Sequence, residues 1–301
     1  MKRKTNIILF LALILIVSMA TTLFILKSRD KKNQQGKSEI TYNEVNDKLR
    51  EDESKDKEKK VKEEKNKDRF EGMELKDNSV GIPILYYHSV EESKDNELRI
   101  SPEKFRKQLK YLKDNNYITL TLEEAYAYIK DNKSVPKNSV VITFDDGYKD
   151  NYDNAFPILK EFDYTATVFV ISGLIDKDPN YLNSDEIKEM AKGGIEIGSH
   201  TVNHEKLVDI SKEEQKQTLT KSKEDLEKLT GKPVTSIAYP FGVFDDNIIK
   251  LTEEAGYKLG FTINKGWGKG SENPLKLSRV YVSAFITDEN FKERISKSNY
   301  N

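Results

Sequence analysis

Seven short apolar stretches recur between residues 81 and 283, and a helical pattern separates most of them from the next. They read GIPILYYH (81–88), SVVITF (139–144), YTATVFVI (164–171), GIEIGSH (194–200), VTSIAY (234–239), KLGFTI (258–263) and KLSRVYVS (276–283). Each is the length of a buried strand and is rich in β-branched and aromatic residues. Strands that alternate with helices make a parallel sheet covered by helices, because a parallel connection needs a crossover long enough to hold one. Helix starts are legible between them. Ser101-Pro102 supplies an N-cap followed by proline at the first helical position. Thr121 with Glu124 and Ser211 with Glu214 have capping-box spacing. About 220 residues and seven strands suit one domain, as an open sheet or a barrel, and no internal repeat is visible.

The first 79 residues have a different character. Ile7 to Leu26 is an uncharged, mostly apolar run of twenty residues. That is the length needed to cross a hydrocarbon layer of about 30 Å. Lysines and arginines flank it on both sides, and no A-x-A cleavage site ends it. Residues 1–27 are therefore expected to be an uncleaved signal-anchor, with the rest of the chain outside the cytoplasm. Secretion after cleavage is the competing expectation. Residues 28–79 lack any apolar period, and only four of the twenty-three residues from Asp47 to Arg69 are uncharged. Such a segment cannot bury a core and is expected to be a solvated stalk. The folded domain is expected at 80–301.

Folds of this class place their chemistry where strands end at their carboxyl side. SVVITF runs into Asp145-Asp146-Gly147. A turn needs at most one aspartate, and two adjacent carboxylates repel. GIEIGS runs into His200, with His204 four residues on. The chain holds only three histidines. On a helical turn, residues four apart face the same way, so both imidazoles would point at one spot. Two histidines and one aspartate make the ligand count of a catalytic metal with open positions, and the second aspartate is then free to act as a base. The third histidine, His88, also ends an apolar run. VTSIAY runs into Pro240-Phe241-Gly242, a tight loop able to offer a backbone N–H to an oxyanion. No cysteine is present, so disulfides, thiol nucleophiles and cysteine zinc sites are excluded. Fifty Lys and Arg against 51 Asp and Glu leave no basic excess for nucleic acid, and none is expected as a partner.

TFDDG (143–147), HTVNH (200–204) and AYPFG (238–242), in that order, resemble the polysaccharide deacetylases, the carbohydrate esterase family 4 or NodB-homology group. The resemblance covers roughly Ile82 to Val282. It implies a distorted (β/α)7-type barrel and one divalent metal, usually zinc, with cobalt, nickel or manganese as alternatives. Carried over, Asp146, His200 and His204 are the metal ligands, Asp145 is the general base, and Phe241 gives the oxyanion N–H. Two departures stand out. The family often carries a base-orienting arginine where this chain has Ala238, and often a general-acid histidine near the C-terminus, where this chain has none. PILYYHSV is similar to the start of the poly-N-acetylglucosamine deacetylases, which implies His88 as the acid. Arg279, in LSRVYV, is the candidate stand-in for the missing arginine.

The implied reaction is removal of N-acetyl groups from an envelope or extracellular polysaccharide, either peptidoglycan or poly-N-acetylglucosamine, by a membrane-tethered monomer. An O-acetyl xylan esterase, a non-haem iron oxygenase and a non-catalytic glycan-binding relic are the alternatives. Tyr239, Trp267 and Arg279 are the substrate-binding candidates. Trp267 is singled out because KGWGKG (265–270) leaves little material for a core. Tyr86, Tyr87, Tyr148 and Phe244 are further aromatics able to stack on a sugar.

Overall fold

The computed structural model describes residues 69–300. The expected signal-anchor and most of the expected stalk lie outside the described residues. Among the described residues, no helix is long and apolar enough to cross a membrane. The folded unit spans Gly72–Asn301 and so begins ahead of the expected boundary at 80. Its start is fixed by Leu75–Lys76, which pairs antiparallel with Val135–Pro136.

Seven parallel strands form the centre: β1 (Ile84–Tyr87), β2 (Ser139–Phe144), β3 (Thr167–Val170), β4 (Glu196–Ser199), β5 (Ser236–Ala238), β6 (Leu259–Lys265) and β7 (Leu277–Tyr281). Each pairs with the next, and β7 pairs with β1, so the sheet closes. This is the expected seven-stranded barrel. The short strand Ile118–Thr119 also pairs, in parallel, with the first residues of β2, Ser139 and Val140. The helices are α1 (Pro102–Asp114), α2 (Leu122–Asp131), α3 (Phe156–Glu161), α4 (Ser184–Lys192), α5 (Lys212–Thr230), α6 (Asp246–Glu254) and α7 (Asp288–Ser296). No α-helix separates β6 from β7; a loop with one short 3₁₀ turn, Pro274–Lys276, makes that return. This gap is the distortion of the barrel.

Local sequence chemistry sets the helix ends. Ser101 Oγ accepts the N–H of Lys104 at 3.2 Å, with Pro102 following as the first helical residue. Thr121 with Glu124 and Ser211 with Glu214 form the capping boxes read from the sequence. All six residues of β2 are buried, as in a strand covered on both faces. Val140, Ile142 and Phe144 join the outer core under the helices, with Leu85 and Tyr87 of β1. The other face of each strand lines the barrel interior. That alternation aims Thr143, and Asp145 beyond it, inward and toward the carboxyl mouth.

Candidate active site

Arg279 organises the interior of the barrel. It sits in the middle of β7 and is completely buried. Its Nη1 donates to Asp145 Oδ1 at 2.8 Å and its Nη2 to Asp145 Oδ2 at 2.7 Å. Nη1 also donates to Thr143 Oγ1 at 3.2 Å, and Nε donates to the Thr262 carbonyl at 2.8 Å. The guanidinium lies 4.2 Å from the Tyr86 ring centroid. A planar fork matched to both carboxylate oxygens fixes Asp145 in position and orientation. A buried ion pair is tolerable only when its other donors find acceptors, and here Nε and the second hydrogen of Nη1 have theirs in Thr262 and Thr143. Burial pushes the Asp145 carboxyl up. The charge and paired hydrogen bonds of Arg279 outweigh it and hold the group below the usual carboxylate range. Asp145 is thus an ionised carboxylate at neutral pH, fixed in place by Arg279.

Asp146 leaves the strand through a left-handed turn at φ 74°. That turn separates the two carboxylates: Asp145 faces Arg279, and Asp146 faces the histidines. Asp146 Oδ1 lies 3.2 Å from His200 Nε2 and 3.5 Å from His204 Nε2. One ligand atom from each of the three residues falls within 4.8 Å of the others. Tetrahedral ligands at about 2.1 Å from an ion sit roughly 3.4 Å apart, so these residues fit a divalent metal. His200 Nδ1 is 2.7 Å from the Ala238 carbonyl. With the Ala238 carbonyl as acceptor, Nδ1 carries a proton and Nε2 is turned toward Asp146, the usual outer support of a metal-binding imidazole. Burial pushes Asp146 up, and the hydrogen bond and charge of His200 bring it down to about 2. Burial pushes the His200 imidazole down, but the hydrogen bond to Asp146 and the charges of Asp145 and Asp146 outweigh it and raise its pKa, so Nε2 holds a proton toward Asp146. A cation entering this cluster would displace that proton.

The route that brings His204 to the site differs from the expectation. Residues 200–204 are not a helical turn. Thr201 and His204 both have positive φ, 64° and 59°. The turn is held from outside. Ser172 N–H donates to Thr201 O at 3.1 Å, Gly173 N–H to Val202 O at 2.7 Å, and Val202 N–H to Thr218 Oγ1 at 3.0 Å. A Cβ at Gly173 would sit 2.4 Å from Val202 O, so glycine is required there. The imidazoles end with ring centroids 4.8 Å apart.

His88 follows β1 and is half-buried. Its ring meets the Tyr86 ring at 5.8 Å and the Tyr281 ring at 6.3 Å, edge to face. Burial lowers its pKa, while Asp145 and Asp146 pull the other way, so it lies within the field of both carboxylates. All three histidines therefore reach one mouth. Phe241 is in a left-handed conformation at φ 59°, and its ring stands 4.5 Å from that of His204. For a bulky residue this geometry costs on the order of 1 kcal/mol or more and needs support from its surroundings.

Three substrate-binding expectations are corrected. Arg279 offers no face to a sugar, because it is buried and all its partners are internal. It holds the Asp145 carboxylate, the position considered for it as a stand-in for the missing arginine. Tyr239 is 1% exposed and donates its hydroxyl to the Leu275 carbonyl at 2.9 Å. Trp267 is 6% exposed, and its Nε1 donates to the Arg294 carbonyl at 2.7 Å. The glycines beside Trp267 do permit a core: Gly268 bridges to Ile82 and packs on Ile84. Tyr86 and Tyr87 are likewise buried, and Phe244 packs on Tyr239. Tyr148 is the exception. It is half-buried beside Asp146 and stacks on Tyr181 at 5.1 Å. Tyr181 and the Ala238 carbonyl gave no sequence signal, since neither lies in a recognisable pattern.

A two-imidazole, one-carboxylate cluster beside a separately anchored carboxylate, at the carboxyl mouth of a parallel barrel, is the arrangement of a hydrolase with a candidate metal site. The comparisons agree. Residues 132–260 match the polysaccharide deacetylase family model. YxkH of Bacillus subtilis, a protein assigned to the polysaccharide deacetylases, is 36% identical over 210 residues, which cover 70% of this chain and 74% of that one. The poly-β-1,6-N-acetyl-D-glucosamine N-deacetylase of Staphylococcus aureus is 33% identical over 71% of this chain and 76% of its own length. A Streptococcus pyogenes deacetylase solved with acetate superposes with a TM-score of 0.69 at 33% identity, over 72% of this chain and 99% of that one. The chain belongs to the polysaccharide deacetylase family and is a hydrolase of that group. Neither the fold nor the family fits a non-haem iron oxygenase.

Proposed function

We propose that this enzyme removes N-acetyl groups from an N-acetylglucosamine-containing envelope or extracellular polysaccharide and releases acetate. The observation that carries this reading is the division of the two adjacent aspartates. One is locked to Arg279 as a base, and the other is grouped with His200 and His204. The name of the Staphylococcus aureus relative supports an N-acetylglucosamine polymer as substrate. A divalent ion, with zinc the first choice for this donor set, would be held by Asp146, His200 and His204 and would supply Lewis acidity to the acetamide oxygen and to a water.

The chain's own residues do the rest. Asp145 takes the proton of the attacking water, and Arg279 keeps it ionised and aimed. The Phe241 N–H donates to the oxygen that gains charge as the carbonyl carbon becomes tetrahedral. His88, in its protonated form, gives a proton to the departing amine, which would otherwise be a poor leaving group. No covalent intermediate is required. Residues 7–26 tether the enzyme to the membrane with the barrel outside the cytoplasm, next to its polymer.

Acetate release from a defined panel tests the reading: poly-N-acetylglucosamine oligomers, peptidoglycan fragments and acetylated xylan, each before chelation, after it, and after zinc is restored. Release from a glucosamine polymer that chelation abolishes and zinc recovers is expected. Release from xylan alone would replace the amide with an ester as the substrate.

A further inference from the structure

Asp145 is oriented by a guanidinium and His200 by a carbonyl, but the His88 ring has no such anchor. Its Nδ1 is buried and has no hydrogen-bond partner among the described residues. Rings flank it only edge-on. Its position must therefore be set through the main chain that carries it.

Beyond its pairing with Arg99–Ile100, that main chain is gripped by side chains from one place. The turn after Asp145-Asp146-Gly147 enters a single π-helical turn, Asn151–Ala155. Such turns are rare and often mark functional sites. Three side chains from this turn and its N-cap reach residues 88–90. Asn151 Nδ2 donates to the His88 carbonyl at 2.8 Å. Asp150 accepts from Val90 N–H at 2.7 Å and from Ser89 Oγ at 2.7 Å. Asn154 Nδ2 donates to the Val90 carbonyl at 2.8 Å. Asn151 is completely buried. On the other side, Asp145 N–H donates to the Tyr87 carbonyl at 2.9 Å. The segment that ends in the base and the segment that ends in His88 are thus tied together twice, before and after the reacting groups. Simple packing does not call for this: a buried asparagine costs desolvation unless its bonds are worth making.

We propose that Asp150, Asn151 and Asn154 form a clamp that positions His88 relative to Asp145, with Asn151 as its central positioning residue. The proposal rests on the reading of His88 as the proton donor. Its test separates the two ideas.

Because the chain has three histidines, nitrogen-15 labelling of histidine gives three imidazoles whose ring resonances can be followed one by one. In Asn151→Ala the His88 resonances should shift or broaden, while those of His200 and His204 and the metal content stay unchanged. The kcat on an acetamide substrate should fall at least about tenfold with little change in KM, because a slightly misplaced donor forfeits much of its rate advantage. An activated aryl acetate, whose phenolate leaves unaided, should be cleaved nearly as fast as by wild type. Asn154→Ala, a milder change at a half-buried position, should show the same signature more weakly and guards against a folding defect. Unmoved His88 resonances in both variants would overturn the clamp, as would equal losses on amide and ester. Moved resonances with unchanged amide rates, in Asn151→Ala and His88→Ala alike, would support the clamp and remove His88 from the chemistry.

Discussion

At the scale of single residues, the site depends on Arg279 more than on any other side chain outside the cluster itself. It keeps a buried carboxylate charged. Replacing it by glutamine removes the charge and leaves burial to act alone, so the Asp145 carboxyl should rise above its ordinary range. The acidic limb of kcat/KM should then move to higher pH, because Asp145 must lose its proton before it can accept another. The variant should also be less stable by about 3–5 kcal/mol, the usual result of stripping one partner from a buried pair. A pH–rate profile with denaturant midpoints checks both, and an unmoved acidic limb would mean that Asp145 is not the titrating base. Much of this was legible beforehand. Asp145, Asp146, His200 and His204 stand in motifs, and a charged residue inside the apolar run LSRVY is conspicuous. The use of Arg279 was only half legible, since sequence does not say which strand faces which across a barrel. Tyr239 and Trp267 were misjudged because loop sequences do not reveal what packs over them.

Among the elements, each of the seven apolar runs became a barrel strand, and SVVITF did so with its bounds unchanged. The capping boxes at Thr121 and Ser211 formed as spaced. The turn at 200–204 did not follow its period, because bonds from Ser172, Gly173 and Thr218 outweigh local helical preference. Another contact between elements, invisible in sequence, makes a testable claim. Glu196, at the start of β4, accepts the N–H of Leu122 in the first turn of α2 at 2.8 Å. Burial pushes its carboxyl up, the Leu122 bond offsets only part of that, and the net result is a rise from 4.5 to about 7. The folded chain therefore holds this proton more tightly than the unfolded chain. Its stabilising effect is complete below about pH 4.5 and is lost as pH rises to about 7 and beyond. Glu196→Gln keeps an acceptor and cannot ionise. It should be more stable than wild type at pH 8, and the gap should close at about pH 4. Denaturant midpoints at the two pH values decide, and a variant less stable at pH 8 would show that the ionised carboxylate is worth more to α2 than its burial costs.

For the whole molecule, the closed barrel brings together residues that lie far apart in the chain: His88 from the first strand end, the two aspartates from the second, His200 from the fourth, Phe241 from the fifth and Arg279 within the seventh. Closure by the β7–β1 pairing sets Arg279 beside Tyr86 and across from Asp145. In the proposed mechanism two neighbouring aspartates have opposite duties. Bound zinc and acetate release, measured on the same preparations of wild type, Asp145→Asn and Asp146→Asn, test this most directly. Asp145→Asn should keep its metal and lose about 10²–10⁴-fold in turnover, the range for removal of a positioned base. Asp146→Asn should lose metal and activity together. Metal lost from Asp145→Asn and kept by Asp146→Asn would contradict the account, because the carboxylate held by Arg279 would then be the ligand and its neighbour the base.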